Sequence, residues 1–188
     1  MKKLVLLAAA AAMTISASAQ TLKFAHVNFT ELVSLAPEAD EARKVISASQ
    51  KDAEETFQSM YEEYQTKVSQ YQQKAETWNQ SVRQTKEKEL SDLQSRIQEF
   101  QQSVQQELQQ QQSKLMNPIQ EKAMKAVEQL AKEGGYIYVF DRSQVLYFDP
   151  AQSTDLTPAA RKAMNIPEGR TMESLQAELA AQAQGQQQ

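Results

Sequence analysis

Two long stretches of this chain repeat their apolar side chains every three or four residues, and a polar interval at residues 83–89 separates them. This spacing places each set of side chains along one face of an α-helix. Few aromatics and only four glycines are also typical of long helices rather than of a compact core. The apolar positions are Phe57, Met60, Tyr64, Val68, Tyr71, Ala75, Trp78 and Val82, then Leu90, Leu93, Ile97, Phe100, Val104, Leu108, Leu115, Ile119, Ala123, Val127 and Leu130.

The boundaries of this helical region, residues 37–134, carry their own signals. Pro37 has a helical φ at a position where no donor is needed, and acidic residues follow it at the positive end of the helix dipole. Gly134 and Gly135 can take the positive φ at which helices usually end. Pro118 removes a hydrogen bond inside the second helix, so we expect a kink there.

Short β-strands are predicted on both sides of the helical region. Residues 22–27 alternate loosely between apolar and polar side chains, and Asn28 with Glu31 resembles a capping box that would start a short helix over 29–35. After the glycines, residues 136–140 and 145–148 are strongly apolar, and Asp141-Arg142-Ser143 lies between them. We therefore predict a β-hairpin with its turn at these three residues.

The helical region could form one straight rod or two helices that fold back on each other, and the predicted strands favour the second arrangement. A two-stranded hairpin is marginal in water, and its only available partner strand precedes the helices. The helices must then fold back on each other with a tip near 80–86, giving arms of roughly 65 Å. The predicted seam between them comprises Phe57, Tyr64, Tyr71, Trp78, Leu93, Ile97, Phe100, Val104 and Leu108. Tyr71 and Trp78 could instead bind a partner protein near the tip, although their positions in the apolar stripe favour packing between the two helices.

So small a sheet cannot cover its own faces and edges, so we expect copies to associate in a small ring of cyclic symmetry. The residues predicted to form this β-rich association body are Leu22, Phe24, Val27, Ile137, Val139, Phe140, Val145 and Tyr147.

The first 19 residues have the features of a cleaved secretory signal: Lys2 and Lys3, an uncharged apolar run of about 12 residues, and Ala17-Ser18-Ala19. The run is too short to span a bilayer, so we expect an exported, periplasmic chain with no stable membrane insertion. Without Lys2 and Lys3, 18 basic side chains face 24 acidic ones, a net charge of −6 that argues against nucleic-acid binding.

No catalytic or cofactor pattern stands out. His26 is the single histidine and the chain has no cysteine, so we interpret His26 as an ordinary strand residue rather than a metal ligand. The carboxylates alternate with lysines as on any solvated helix, and no glycine-rich phosphate loop occurs. We expect a non-enzymatic protein without cofactors.

The C-terminal region contains one further helix start at Thr157-Pro158 and a weak amphipathic pattern of Met172, Leu175 and Leu179. We expect residues 183–188 to be disordered. The predicted organisation is a signal peptide at 1–19, the body from 20–36 plus 135–165, the helical arms at 37–134, and an extra, partly disordered tail at 166–188.

The order of these elements resembles the Skp/OmpH family of periplasmic chaperones. The similarity rests on residues 24–28 (Phe-Ala-His-Val-Asn), 117–122 (Asn-Pro-Ile-Gln-Glu-Lys), 138–141 with 145–147, and 154–157. It implies an α+β, mostly α fold, a jellyfish-like homotrimer with coiled-coil tentacles around a cavity that holds unfolded outer-membrane proteins without ATP. This chain differs from the best-known relatives in being acidic and in carrying the tail after Asn165.

Other functions remain open from the sequence. A periplasmic coiled-coil adaptor that bridges envelope components would use similar helices, although such adaptors usually add further β-domains and a membrane anchor. A prefoldin-like assembly has similar hairpins but works without export. The face of the arms that would bind a client is unknown from the sequence.

Overall fold

The computed structural model describes residues 22–185, so the predicted signal peptide lies outside the described residues. Two long helices dominate a mostly helical α+β chain with one small sheet. In chain order the elements are β1 (Phe24–Val27), α1 (Phe29–Leu35), α2 (Pro37–Lys74), a 3-10 turn (Ala75–Thr77), α3 (Gln80–Gly134), β2 (Tyr138–Asp141), a second 3-10 turn (Arg142–Gln144), β3 (Ser153–Asp155), α4 (Thr157–Ala163) and α5 (Met172–Gly185).

Local signals place the start of the helical region where the sequence predicts it. The Asn28 Oδ1 atom accepts a hydrogen bond from the Glu31 backbone N–H at 3.1 Å, and Asn28 Nδ2 donates to Glu31 Oε2 at 3.2 Å. This reciprocal pair satisfies a donor that the first turn of α1 would otherwise leave free. Pro37 then opens α2 directly after Ala36, the single residue between the two helices.

Helices α2 and α3, hereafter the arms, run side by side in opposite directions. Glu38 pairs with Lys122 near the sheet, and Lys67 lies 3.8 Å from Glu89 far from it. Residues later in α2 therefore pair with residues earlier in α3, as antiparallel helices require. With 38 and 55 residues, the arms measure about 57 Å and about 82 Å.

The chain reverses direction earlier than predicted. The reversal lies at residues 75–79, whereas 80–86 form the first turns of α3. Asn79 explains the difference, because its side chain accepts a hydrogen bond from the Val82 N–H at 2.9 Å and caps α3. The turn between the arms therefore ends where Asn79 caps α3, and not where the apolar periodicity is lost.

The predicted β-hairpin is wrong. All three strands are parallel in the order β2-β1-β3, with Phe24 opposite Tyr138 on one side and Ser153 on the other. Asp141 Oδ1 accepts from the Ser143 N–H at 3.1 Å and turns the chain away from β2. Residues 145–152 then connect β2 to the far edge of the sheet instead of returning beside it.

The core lies where the sheet meets the arms. Leu32, Leu35 and Met164 are its largest fully buried side chains. Val27 of β1 and Ile119 of α3 belong to the same cluster. Burial is therefore concentrated at the root of the arms, the end nearest the sheet.

The tail packs onto this core. Asn165 takes a positive φ of 58°, which turns the chain after α4, and Ile166 and Leu175 are both buried in the cluster. Helix α5 continues through Gly185 and so includes the first three residues of the segment 183–188 that is predicted to be disordered. Residues 186–188 lie outside the described residues.

Candidate functional site: an apolar sheet face and two helical arms

One face of the sheet carries a row of aromatic rings. Strand alternation turns Ala25 and Val27 toward the core, so Phe24 points to the opposite face. In the parallel register Phe24 lies beside Tyr138 with the rings stacked at 6.3 Å, and the Tyr138 ring lies 5.9 Å from that of Phe140. The aromatic row therefore spans β1 and the edge strand β2.

Further exposed apolar side chains lie on the segments next to these strands. Within a single chain Tyr147 is 81% exposed and Leu146 is fully exposed, although both are large and apolar. We call the apolar body surface the set Leu22, Phe24, Ile137, Tyr138, Phe140, Leu146 and Tyr147. An exposed apolar patch of this kind typically marks a contact with another molecule.

The residues predicted for the association body do meet around one sheet, but most are not buried. Val27 is 3% exposed, whereas Phe24, Val139 and Val145 are half-buried. Leu22, Ile137, Phe140 and Tyr147 are exposed in the single chain. The sequence prediction missed Tyr138 and Leu146; the alternation of Tyr136, Tyr138 and Phe140 was the available signal for the first of them.

Strand β2 also leaves one of its edges open. Among the described residues its ladder partner is β1, on one side alone. An open edge presents unpaired N–H and C=O groups that can pair with another strand. The apolar body surface and this edge lie at the same end of the molecule.

His26 is held as part of the sheet. Its Nδ1 atom lies 2.8 Å from Ser153 Oγ on β3, and its ring packs 4.2 Å from that of Phe148. Asp155 Oδ2 lies 4.0 Å from Nε2. Within residues 22–185 no group of three or more histidine, aspartate or glutamate side chains is placed to hold a metal. His26 thus ties β3 to β1.

The residues predicted for the seam between the arms are all partly or fully shielded from solvent. Leu93 is buried at 4% exposure. The rest of the predicted set is half-buried: Phe57, Tyr64, Tyr71, Trp78, Ile97, Phe100, Val104 and Leu108. At the far end, the rings of Tyr71 and Trp78 meet edge to face at 5.9 Å. Tyr71 also donates a hydrogen bond to Glu87, which raises the pKa of its phenol.

Shallow grooves interrupt the seam. Midway along the arms, small Ala53 faces the larger side chains of α3, and a groove of about 240 Å³ lies beside Phe57, Phe100 and Val104. Near the root, another of about 380 Å³ lies over Ala42, Val45, Leu115, Pro118 and Ile119. Both are lined mainly by apolar side chains. The sequence prediction assigned no binding face, and small residues in the stripe were its one hint of these grooves.

Charged pairs cover much of the remaining arm surface. Lys86 donates to Glu89 at 2.9 Å, and Lys132 to Glu128 at 2.6 Å. These hydrogen bonds lower the pKa of both glutamates. The arms thus combine a hydrated exterior with narrow apolar grooves. In the part of the chain that the structure describes, no helix is both long and apolar enough to cross a membrane.

These features define a class of protein: a small parallel sheet with exposed apolar side chains, from which two long antiparallel helices extend. A sequence model of the family described as outer membrane protein (OmpH-like) matches residues 23–164. The chain belongs to this family, as the sequence resemblance predicted. Comparison with curated proteins gave no match. Family membership suggests a chaperone of outer-membrane proteins rather than an enzyme.

Proposed function

We propose that the mature chain is an ATP-independent holding chaperone of the periplasm. Copies would assemble as a trimer through the apolar body surface, and the arms would surround a cavity that keeps unfolded outer-membrane β-barrel proteins from aggregating. The observation that carries the proposal is that large apolar side chains are exposed on the same small sheet from which the long arms extend.

The exposed side chains of the body support assembly. Tyr138, Phe140, Leu146 and Tyr147 would all be in water in a lone chain. Burying a large apolar side chain is worth about 1.5–3 kcal/mol, so covering several of them favours association strongly. Cyclic symmetry would bury the same surface on every copy and direct all arms to one side.

The arms support a holding role. Their apolar grooves are shallow, so each contact with an unfolded segment would be weak. Several arms acting together convert weak contacts into useful overall affinity and still permit release. A client that inserts into the outer membrane would leave because its own folding is more favourable, without any nucleotide.

A light-scattering assay tests the holding role. An unfolded outer-membrane β-barrel protein is diluted from denaturant with and without the mature chain, residues 20–188. We expect scattering to be suppressed at about one trimer per client. A chain that assembles but leaves scattering unchanged would favour the adaptor function, in which the arms bridge envelope components.

Assembly is tested separately with matched variants. Phe140→Ser together with Tyr147→Ser changes the apolar body surface, whereas Tyr61→Ser changes an exposed aromatic residue on α2. Sedimentation should give a trimer for the wild type and Tyr61→Ser, and smaller species for the double variant. A wild-type monomer, or a double variant that remains trimeric, would contradict this mode of assembly.

A further inference from the structure

The segment 165–185 follows the part of the chain that matches the family, yet it is built into the root of the arms. Ile166 is 5% exposed and Leu175 is 4% exposed, and Met172 packs against the same core. Thr171 and Ser174 exchange hydrogen bonds of 3.1 Å that cap α5. The tail thus has a defined position on the body.

Arg161 of α4 fastens the beginning of this segment. Its Nη2 atom donates to the backbone carbonyls of Pro167 at 2.9 Å and Arg170 at 2.6 Å. Its Nη1 atom donates to Glu31 of α1. One guanidinium therefore connects the tail to the short helix that precedes the arms.

Arg170 connects the tail to the first turn of α2. Its Nη2 atom donates to Asp40 Oδ1 at 2.8 Å, and its Nη1 atom donates to Glu178 of α5. The Arg170 side chain is 15% exposed and that of Asp40 is 34% exposed, so the pair is partly shielded from solvent. Asp40 also accepts from Arg43, which donates to the Ser34 carbonyl of α1 at 3.0 Å. Asp40 of α2 is thus linked to α1 through Arg43 and to α5 through Arg170.

The connection between body and arm is otherwise short. Ala36 alone links α1 to α2, with φ −58° and ψ 138°. Helix α2 has 38 residues. Because of its length, a rotation by one degree at Ala36 displaces its far end by about 1 Å. Contacts at the first turn of α2 therefore have a large effect on where the arm points.

We propose that residues 165–185 form a brace that fixes the angle between arm and body, with the Arg170–Asp40 pair as its polar fastening and Leu175 as its apolar one. The brace acts within one chain, so it does not depend on the proposed chaperone activity. Without it, α2 and the paired α3 swing more widely about Ala36, and the space between arms varies more.

Spin labels on the full mature chain test the brace. The absence of cysteine allows labels at introduced Thr30→Cys on α1 and Gln65→Cys on α2, both exposed, with labelled chains diluted into unlabelled ones. Arg170→Gln should broaden the label-to-label distance distribution, since a joint that swings 5° further moves residue 65 by about 4 Å. Glu178→Gln removes one partner of Arg170 and should broaden it less.

Arg96→Gln, an exposed arginine on α3, is the matched control and should leave the distribution unchanged. Asp40→Asn combined with Arg170→Gln should broaden it by less than the sum of the two single effects, because the two substitutions share one contact. The proposal is overturned if Arg170→Gln lowers the melting temperature but leaves the distribution as narrow as in the wild type. The tail would then add stability without directing the arm.

Discussion

Lys122 of α3 donates a hydrogen bond to Glu38 in the first turn of α2, across 84 residues of chain. This contact joins the two arms at their root, beside the groove over Pro118. It is also the main reason that the pKa of Glu38 is lowered from its ordinary value of 4.5.

The Glu38 contact should make stability depend on pH. A lowered pKa in the folded state means that the contribution is present above the unfolded value near 4.5 and is lost as pH falls through the folded pKa. Both side chains are more than a third exposed, so Glu38→Gln should cost at most about 1 kcal/mol at pH 7. Urea unfolding at pH 7 and pH 3 measures this.

Glu121→Gln, on the exposed surface beside Lys122, is the control for a general loss of negative charge. The difference in free energy of unfolding between the wild type and Glu38→Gln should be smaller at pH 3 than at pH 7. An equal loss at both pH values would contradict an electrostatic role for the contact.

The cap of α1 predicts a difference between two substitutions at one position. Asn28→Ala removes the acceptor for the Glu31 N–H and should lower the free energy of unfolding by about 1 kcal/mol. Asn28→Ser keeps an acceptor there without placing a second carboxylate beside Glu31, and it should cost less. Thermal unfolding of both variants decides the matter: equal losses would mean that the side-chain cap contributes little.

Leu93 should be the most sensitive position in the outer part of the arms, because it is buried where its seam neighbours are half exposed. Leu93→Ala should cost about 2–4 kcal/mol. In Leu93→Ala, the rate of amide hydrogen exchange should be higher than in the wild type in the parts of both arms near residue 93. Val82→Ala, at a more exposed stripe position, is the control and should change exchange little.

Pro118 lies inside α3, which continues through it. The kink there stays a prediction, based on the missing N–H and the clash of the ring with the preceding turn. Pro118→Ala should straighten α3, change the spread of the arms measured between spin labels, and stabilise the helix by up to about 3 kcal/mol. Gln120→Ala is the control, and an unchanged spread in Pro118→Ala would contradict the kink.

Signals confined to a few residues were predictable from the sequence. The pairing of Asn28 with Glu31, the start at Pro37 and the stop at Gly135, whose φ is 67°, each depend on the backbone of one turn. The apolar stripe likewise predicted the two long helices. The reversal at 75–79 was missed because the Asn79 cap determines where α3 begins, and the polar interval that follows it does not.

The candidate site was only partly predictable. Apolar residues at 136–140 and 145–148 pointed to a body surface, but their alternation could not tell whether each would be covered. Tyr147 is exposed whereas Phe148 packs on His26, because residues 145–152 run to the far edge of the sheet rather than forming a strand. Ser153–Asp155, with little apolar character, became the third strand instead.

By itself the sequence determined the two long helices, their outer limits at Pro37 and Gly134, and the family, since these follow from spacing and from contacts within one turn. The tertiary structure decided that the strands are parallel, which of them lie at the edges, and that the tail packs on the root. Such features depend on partners that are distant along the chain. A strand of three or four residues has too few contacts of its own to select a partner, so the packing of the arms and core selects it.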